Sequence, residues 1–446
     1  MPFLDLLTVY DKLGNEAVSW YLNINRPLLD SIHVVSNAVF SLFLAVAMFL
    51  SVVFVLMSVI ALLSRRRLSG YVFDESAPLS VSVQIPTFNE LAALNCAKAC
   101  LEFDYPKDKY EIIIGDDSDN SGVSQKIDVF AAEHQGIVKV TRRGNNAGFK
   151  PGNLNHMLKF SDGEVLVILD SDFLPEKDFL KHVVAPFQQN PLIGAVQARW
   201  KFVNQSQNLV SILGSVIGLA FHHIYLPFMK KLGGVSFLCG SAEAVRKAHV
   251  VRLGGWQHGS LTEDIEFSLR LLNDGHDIVY LEDYECWCEV PHVPKDLYRQ
   301  QMRWAFGVVS AFLQHAITTI MNPRLGFRKK LSVQLQCMGY FFSTLLFCMF
   351  VAGTVSFFSN APAPIDVPKF VGDMVQNIVF SSGIIISSLA ALIKTRNHKI
   401  IWKALLSSFS YGLVVTYFVN IGIFKAIAGK NMTWFMLKKN GNVAAQ

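Results

Sequence analysis

The chain has 446 residues, 51% of them apolar and only 17% charged, and a formal net charge of +5. That composition is too oily for an ordinary soluble enzyme, and the small basic excess sits mostly beside apolar runs, which gives no reason to expect nucleic-acid binding. The apolar residues are segregated, with the acids concentrated between about residues 80 and 300, so the chain reads as part membrane and part globular domain.

In chain order, residues 1–36 form an N-terminal segment expected on the extracytoplasmic side. Residues 37–63 then run 27 positions without a charge, more than the ~20 residues needed to span a bilayer. They predict a transmembrane helix, too long and too far from the start for a cleaved signal peptide. Arg65, Arg66 and Arg67 follow directly and mark a cytoplasmic flank. Residues 70–304 are therefore expected to be a cytosolic domain.

Within that domain, "LSVSVQIPTFNE" (79–90) reads as a strand opening into a polar loop at Pro86, and a helix follows. "YEIIIGDDSDN" and "EVLVILDSDF" repeat the form, each a buried run ending in acids. Strand, helix, strand with polar ends predicts a mainly parallel sheet covered on both faces, whose ligands bind beyond the carboxyl ends of the strands. Asp170 and Asp172 flank one serine at such an end. Two carboxylates so close repel unless a cation lies between them, and a hard divalent ion, Mg²⁺ or Mn²⁺, shared with substrate phosphates is the natural partner. Asp116 and Asp117 end the preceding strand, and Lys150 in "GFKPGNLN" is expected on a loop where an ammonium and backbone amides suit phosphate oxygens. The glycine spacing excludes a P-loop. "GSLTEDIEFSLRLLNDG" (259–275) reads as a helix with Thr262 as N-cap and Glu263 and Asp264 in its first turn. Those acids serve either to offset the helix dipole or, projecting into a cleft, as a general base.

Two charge-free or nearly charge-free stretches, 208–228 and 305–321, are expected to lie as interfacial helices under the domain, the second within a segment 305–330. A crossing at 208–228 would put the later motifs on the opposite side from Asp170. Membrane segments are predicted at 331–357, 376–393 and 404–424, followed by a basic tail, 425–446. The basic stretch 394–399 and the basic tail both belong inside by the charge rule, which three crossings cannot satisfy, so one segment must be re-entrant or interfacial or the rule fails once. The seven cysteines show no zinc spacing and are expected as reduced structural thiols.

Taken together, "PTFNE", "DDS", "KPGNLN", "DSD", "FLCGS", "LTED" and "QQMRW" stand in the order of the membrane-embedded family 2 glycosyltransferases, the cellulose, chitin and hyaluronan synthases, which the chain resembles over about residues 70–310. The resemblance implies an α/β glycosyltransferase A-type (Rossmann-like) domain with flanking transmembrane and interfacial helices. It implies a multi-pass protein of the plasma membrane or another internal membrane, and inverting transfer of a sugar from a nucleoside diphosphate. By carry-over, Asp170 and Asp172 hold Mg²⁺ or Mn²⁺, while Pro86, Thr87, Asn89, Glu90 and Asp117 meet the base and ribose. Lys150, Gln300 and Arg303 hold the diphosphate, Asp264 is the base, and Trp304, Phe237, Cys239 and Gly240 line the acceptor side, Cys239 as a small wall residue and not a nucleophile. The tail "MTWFMLKKNG" resembles the family's gating segment at Trp434 and Lys439, with Leu437 where threonine is usual. UDP-glucose and UDP-N-acetylglucosamine are the favoured donors, with GDP-mannose open, and the acceptor is a glycan or a lipid. Three functions follow: a processive β-linked polysaccharide synthase, a single-transfer enzyme acting on a membrane lipid, or an inactive scaffold, against which the complete set of acids argues.

Overall fold

The computed structural model describes residues 12–17, 19–20, 26–64, 70–360, 366–435 and 439. Arg65 to Arg67 and Leu437, singled out above, lie outside the described residues. The chain divides into two compact units, Met1–Leu56 with Phe341–Ser387, and Met57–Tyr340 with Ser388–Gln446.

The second unit is built on a seven-stranded sheet: β1 (Val81–Thr87), β2 (Tyr110–Asp116), β3 (Val138–Thr141), β4 (Val165–Ile168), β5 (Ile193–Phe202), β6 (Glu243–Arg246) and β7 (Asp277–Cys288), in the order β3-β2-β1-β4-β6-β5-β7. All neighbours are parallel except β6, which runs antiparallel to both β4 and β5. The centre is apolar without alternation, because helices cover both faces: every residue of β4 (VLVI) is buried, as are Ile112, Ile113 and Ile114 of β2. The register sets Thr87 opposite Asp116, so the polar residues after β1, β2 and β4 emerge side by side at one edge.

Four helices position the rest. α1 (Phe149–Leu158) carries Lys150 on its first turn and not on a loop; Pro151 is tolerated there because a first-turn residue has no amide partner to lose. α2 (Glu263–Asn273) begins at Thr262, as its sequence predicts, but the Thr262 hydroxyl makes no capping bond and is buried without a partner among the described residues. α3 (Pro294–Met321) is one continuous helix, so the polar "RQQMRW" and the apolar 305–321 are successive turns of a single rod. α4 (Ile401–Ile427) packs along α3, with Tyr298 and Phe418 stacked at 5.3 Å. Two contacts of α3 are close: a Cβ on Gly422 of α4 would lie 2.4 Å from the Met302 carbonyl, and one on Gly307 would meet the methyl of Thr262, just before α2, at 2.4 Å. Thr262 therefore spends its side chain filling the Gly307 notch. The charge-free run 208–228 folds as Leu209–Ala220, a π-turn and Leu226–Lys231, and two-thirds of its apolar window is buried within the unit, leaving little of it to lie against lipid.

The first unit comprises long apolar helices. Arg26–Leu63, of which residues up to Leu56 belong here, exposes Val34, Val35, Leu42, Phe49 and Val52, an outward apolar surface suited to lipid. Within the unit, Phe54 meets Phe342 edge-on at 5.9 Å and His33 Nδ1 lies 2.9 Å from the Ser356 carbonyl. The run 331–357 is divided between Phe327–Met338 and Phe341–Ser359, and 376–393 between Val367–Ser381 and Gly383–Lys394, which bend by 57° where "SSG" interrupts the helical turns. By length and composition, five helices among the described residues are apolar enough to cross a membrane, or six if the bent pair is one span.

Candidate active site

The strand ends, the first turns of α1 and α2 and the polar half of α3 enclose a cavity of about 550 Å³. Pro86, Thr87, Glu90, Asp117, Lys150, Asp170, Asp172, Cys239, Gly240, Asp264, Gln300, Arg303 and Trp304 all line it. Two of the expected residues do not. Asn89 turns away to bond Asp119 (2.6 Å) and organise the loop, its backbone in the left-handed region. Phe237 is a correction: expected on the acceptor wall, it lies 3% exposed in the apolar core with Leu238 and Phe267, because a ring in this segment gains more from burial than from a polar cleft.

Charges inside the cavity are paired crosswise. Lys150 Nζ lies 2.8 Å from Asp170 Oδ1 and 3.1 Å from Glu263 Oε1, and it also donates to the Gly240 carbonyl. Lys439 Nζ lies 2.7 Å from Asp172 Oδ1 and 3.2 Å from Glu90 Oε2. Beside it, the Trp434 ring covers the Arg303 guanidinium at 4.2 Å, while Arg303 donates to the Leu261 carbonyl (2.8 Å). Asp117 is held by Arg143, whose Nε lies 2.9 Å from Oδ1. Trp200, at the end of β5, faces Trp304 with ring centroids 6.5 Å apart.

Burial dominates the electrostatics. It pushes the Asp264 carboxyl up to about 7, with the neighbouring Glu263 carboxylate adding to the rise and Lys150 and Arg303 opposing it. Burial also raises Glu243 well above the carboxylate range, with Asp264 contributing. At Asp170 the same burial is outweighed by Lys150 and Lys439, which hold the carboxyl below its ordinary value. Burial, with Asp264 and Glu243, raises the Cys239 thiol well above normal, so it stays protonated and is no nucleophile. One acid is thus held ionised and another, in the same cavity, is poised near neutrality.

For a metal, the relevant observation is the donor set. Asp170 and Asp172 offer oxygen only, and an ammonium already stands against each, marking two places where positive charge is favoured. No group of three or more metal-binding side chains occurs among the described residues. Two carboxylates fit a hard cation that takes its remaining oxygens from a substrate diphosphate and water.

The pattern agrees with a family description, "Glycosyltransferase like family 2", which matches residues 77–307, over half of the chain. The chain is a family 2 glycosyltransferase. Among its relatives in this family, glucomannan 4-beta-mannosyltransferase 2 of Arabidopsis thaliana is 32% identical over 262 residues, 57% of this chain and 49% of that one. Probable glucomannan 4-beta-mannosyltransferase 11 of Oryza sativa subsp. japonica is 31% identical over 264 residues, 56% and 45% of the two chains. The match thus spans about half the length of each relative. The fold is similar to that of the mannosyltransferase PcManGT from Pyrobaculum calidifontis, solved with GDP-Man and Mn²⁺, at a TM-score of 0.57 and 18% identity, covering 82% of this chain and 99% of that one. The sheet with its flanking helices is accordingly the glycosyltransferase A-type fold of this family.

Arg143, Glu243 and Trp200 belong to the site but to none of the motifs. "RR" at 142–143 just after a short strand was the available signal for the first. Glu243 and Trp200 sit in strands whose partners lie far away in sequence, and nothing local distinguishes them.

Proposed function

We propose that the chain transfers mannose from GDP-mannose, with inversion, onto a growing β-linked polysaccharide. The observation that carries the reading is the single cavity that brings the Asp264 carboxyl together with Lys150, Asp170 and Arg303. The donor preference moves away from the UDP-sugars favoured by sequence because the relatives are named glucomannan mannosyltransferases.

In this mechanism Asp264 takes the proton of the acceptor hydroxyl while that oxygen attacks the anomeric carbon from the face opposite the diphosphate. The bond from the anomeric carbon to the phosphate oxygen breaks as the new glycosidic bond forms, so an α-linked donor gives a β product. Lys150 and Arg303 meet the negative charge that develops on the departing nucleoside diphosphate, Arg303 with Gln300 beside it. Asp170 and Asp172 would hold a divalent cation, which when bound would supply further charge neutralisation of the leaving group. Asp117 and the Pro86–Glu90 loop take the nucleoside, with Arg143 fixing Asp117. Trp304 and Trp200 offer apolar ring faces to the C–H faces of the acceptor sugar, and Cys239 and Gly240 leave room for it.

The same reading assigns the membrane layout. Arg26–Leu63, Phe341–Ser359 and the bent pair Val367–Lys394 cross, and α4 lies along the domain. In support, Asn397 pairs with Gln205 (3.1 Å) just before α4, and Trp434 reaches Arg303 just after it, so both ends stay with the domain. Three crossings then leave both basic stretches on one side, the cytosolic one. A cysteine introduced at Ala444 should resist an impermeant thiol reagent applied from outside; labelling there would sink the layout.

The function is tested by nucleotide release from purified protein supplied with GDP-mannose, UDP-glucose or UDP-N-acetylglucosamine and Mn²⁺ or Mg²⁺. GDP release that is lost in Asp264→Asn and on chelation is expected, together with a ladder of β-linked oligomers. Release of UDP alone would refute the donor, and a single glycolipid product would refute the polymer.

A further inference from the structure

A second cavity, of about 610 Å³, opens in the same unit on the far side of Trp200's strand, away from the acids described above. One wall is apolar and is made by Ile60, Ala61 and Leu62, the last turns of the long charge-free helix, with Phe228 beside them. The other wall is cationic: Arg199, Lys201, Lys231, Lys394 and Arg396 line it against two carboxylates, Glu282 and Glu285. Those carboxylates are committed. Glu285 lies 3.9 Å from Arg199 and 3.3 Å from Lys201, and Glu282 lies 3.5 Å from Lys230. Among the described residues no carboxylate lies within ion-pair distance of Lys231 or Arg396; Lys231 donates only to the Ser64 hydroxyl. Lys201 also sits 4.0 Å over the Trp287 ring, and indoles favour the boundary between water and lipid.

A neutral sugar gains nothing from this excess of cations, and a free anion has no use for the apolar wall. We propose that this cavity binds the headgroup phosphate of an anionic glycerophospholipid, with Lys231 and Arg396 on the phosphate and the acyl chains leaving along Ile60–Leu62. Basic pockets beside the ends of membrane helices take lipid headgroups by this combination of charge and apolar contact. The proposal rests on the helix ending at Leu63 being embedded in a membrane.

The test is native mass spectrometry of the full-length protein released from micelles doped equally with phosphatidylglycerol and phosphatidylcholine. One retained phosphatidylglycerol per chain is expected. The double variant Lys231→Gln/Arg396→Gln should weaken it about tenfold or more, with nucleotide release unchanged, since each cation near an anionic lipid contributes roughly a factor of five. Equal retention of phosphatidylcholine, or undiminished phosphatidylglycerol in the double variant, would overturn the proposal. So would complete displacement of the lipid by inorganic phosphate, which would make the ligand a free anion. Recovery of the protein in the aqueous phase of a detergent partition would overturn the embedding itself, and so separates the two failures.

Discussion

Replacing Asp264 by asparagine keeps the shape of the side chain and removes its charge, in a place where burial and Glu263 hold the carboxyl at about 7 against an ordinary 3.8. A base with that midpoint is about one-tenth ionised one pH unit below it and about nine-tenths ionised one unit above. The rate constant kcat/KM should therefore climb roughly tenfold from pH 6 to a plateau above pH 8, and Asp264→Asn should lose about two to four orders of magnitude of it. Glu263→Gln removes a carboxylate that raises the midpoint, so its profile should move to lower pH; metal bound at Asp170 and Asp172 draws it the same way. Stability should run opposite to activity. A raised folded pKa means that the contribution of this carboxyl is present below the unfolded value near 4 and is lost as pH rises through about 7. The shift corresponds to an upper bound on the order of 4 kcal/mol, so Asp264→Asn should unfold at a higher temperature than the parent at alkaline pH and not at acidic pH. The assays are a pH profile of nucleotide release and thermal unfolding on both sides of neutrality. A flat profile across this range, or a variant within tenfold of the parent rate, would refute the assignment.

Two further outcomes follow from the packing. Lys439 stands against Asp172 and Glu90, where cation binding is proposed, so Lys439→Ala should lower the Mn²⁺ concentration for half-maximal nucleotide release about fivefold or more, the equivalent of an ion pair worth roughly 1 kcal/mol; an unchanged requirement would remove the tail from the site. Gly422→Ala forces a methyl into the Met302 carbonyl, and overpacking of this kind costs about 1–3 kcal/mol. A lowered Tm with a reduced kcat is expected, whereas Gly412→Ala, where the added atom meets nothing within 4 Å, should be silent in both.

The strand ends were legible because buried runs such as "VLVIL" can only stop where polar side chains begin, and in a parallel sheet those stops align. Asp170 could be picked for the same reason, whereas Lys150, Asp264 and Arg303 stand on helices and were legible only through the motifs that carry the family resemblance. The pairings were not legible: Lys439 meets Asp172 across 267 positions and Arg143 meets Asp117 around the edge of the sheet, and no local pattern encodes such contacts. Phe237 and Cys239 share one motif although only Cys239 faces the cavity, since alternation fixes facing only where a strand is recognised. Thr262 shows the opposite error, an N-cap by position whose side chain is spent on Gly307.

The helix Pro294–Met321 is seated between the short, β-branched side chain of that threonine and the backbone of Ile401–Ile427, with no long side chain at either contact. Cushioning by rotamer changes is therefore denied to it. A shift of Ile401–Ile427 would therefore be passed through Met302 to Arg303 and Trp304, the next residues on the same helix, so a position that touches no substrate can set the geometry of the cavity wall.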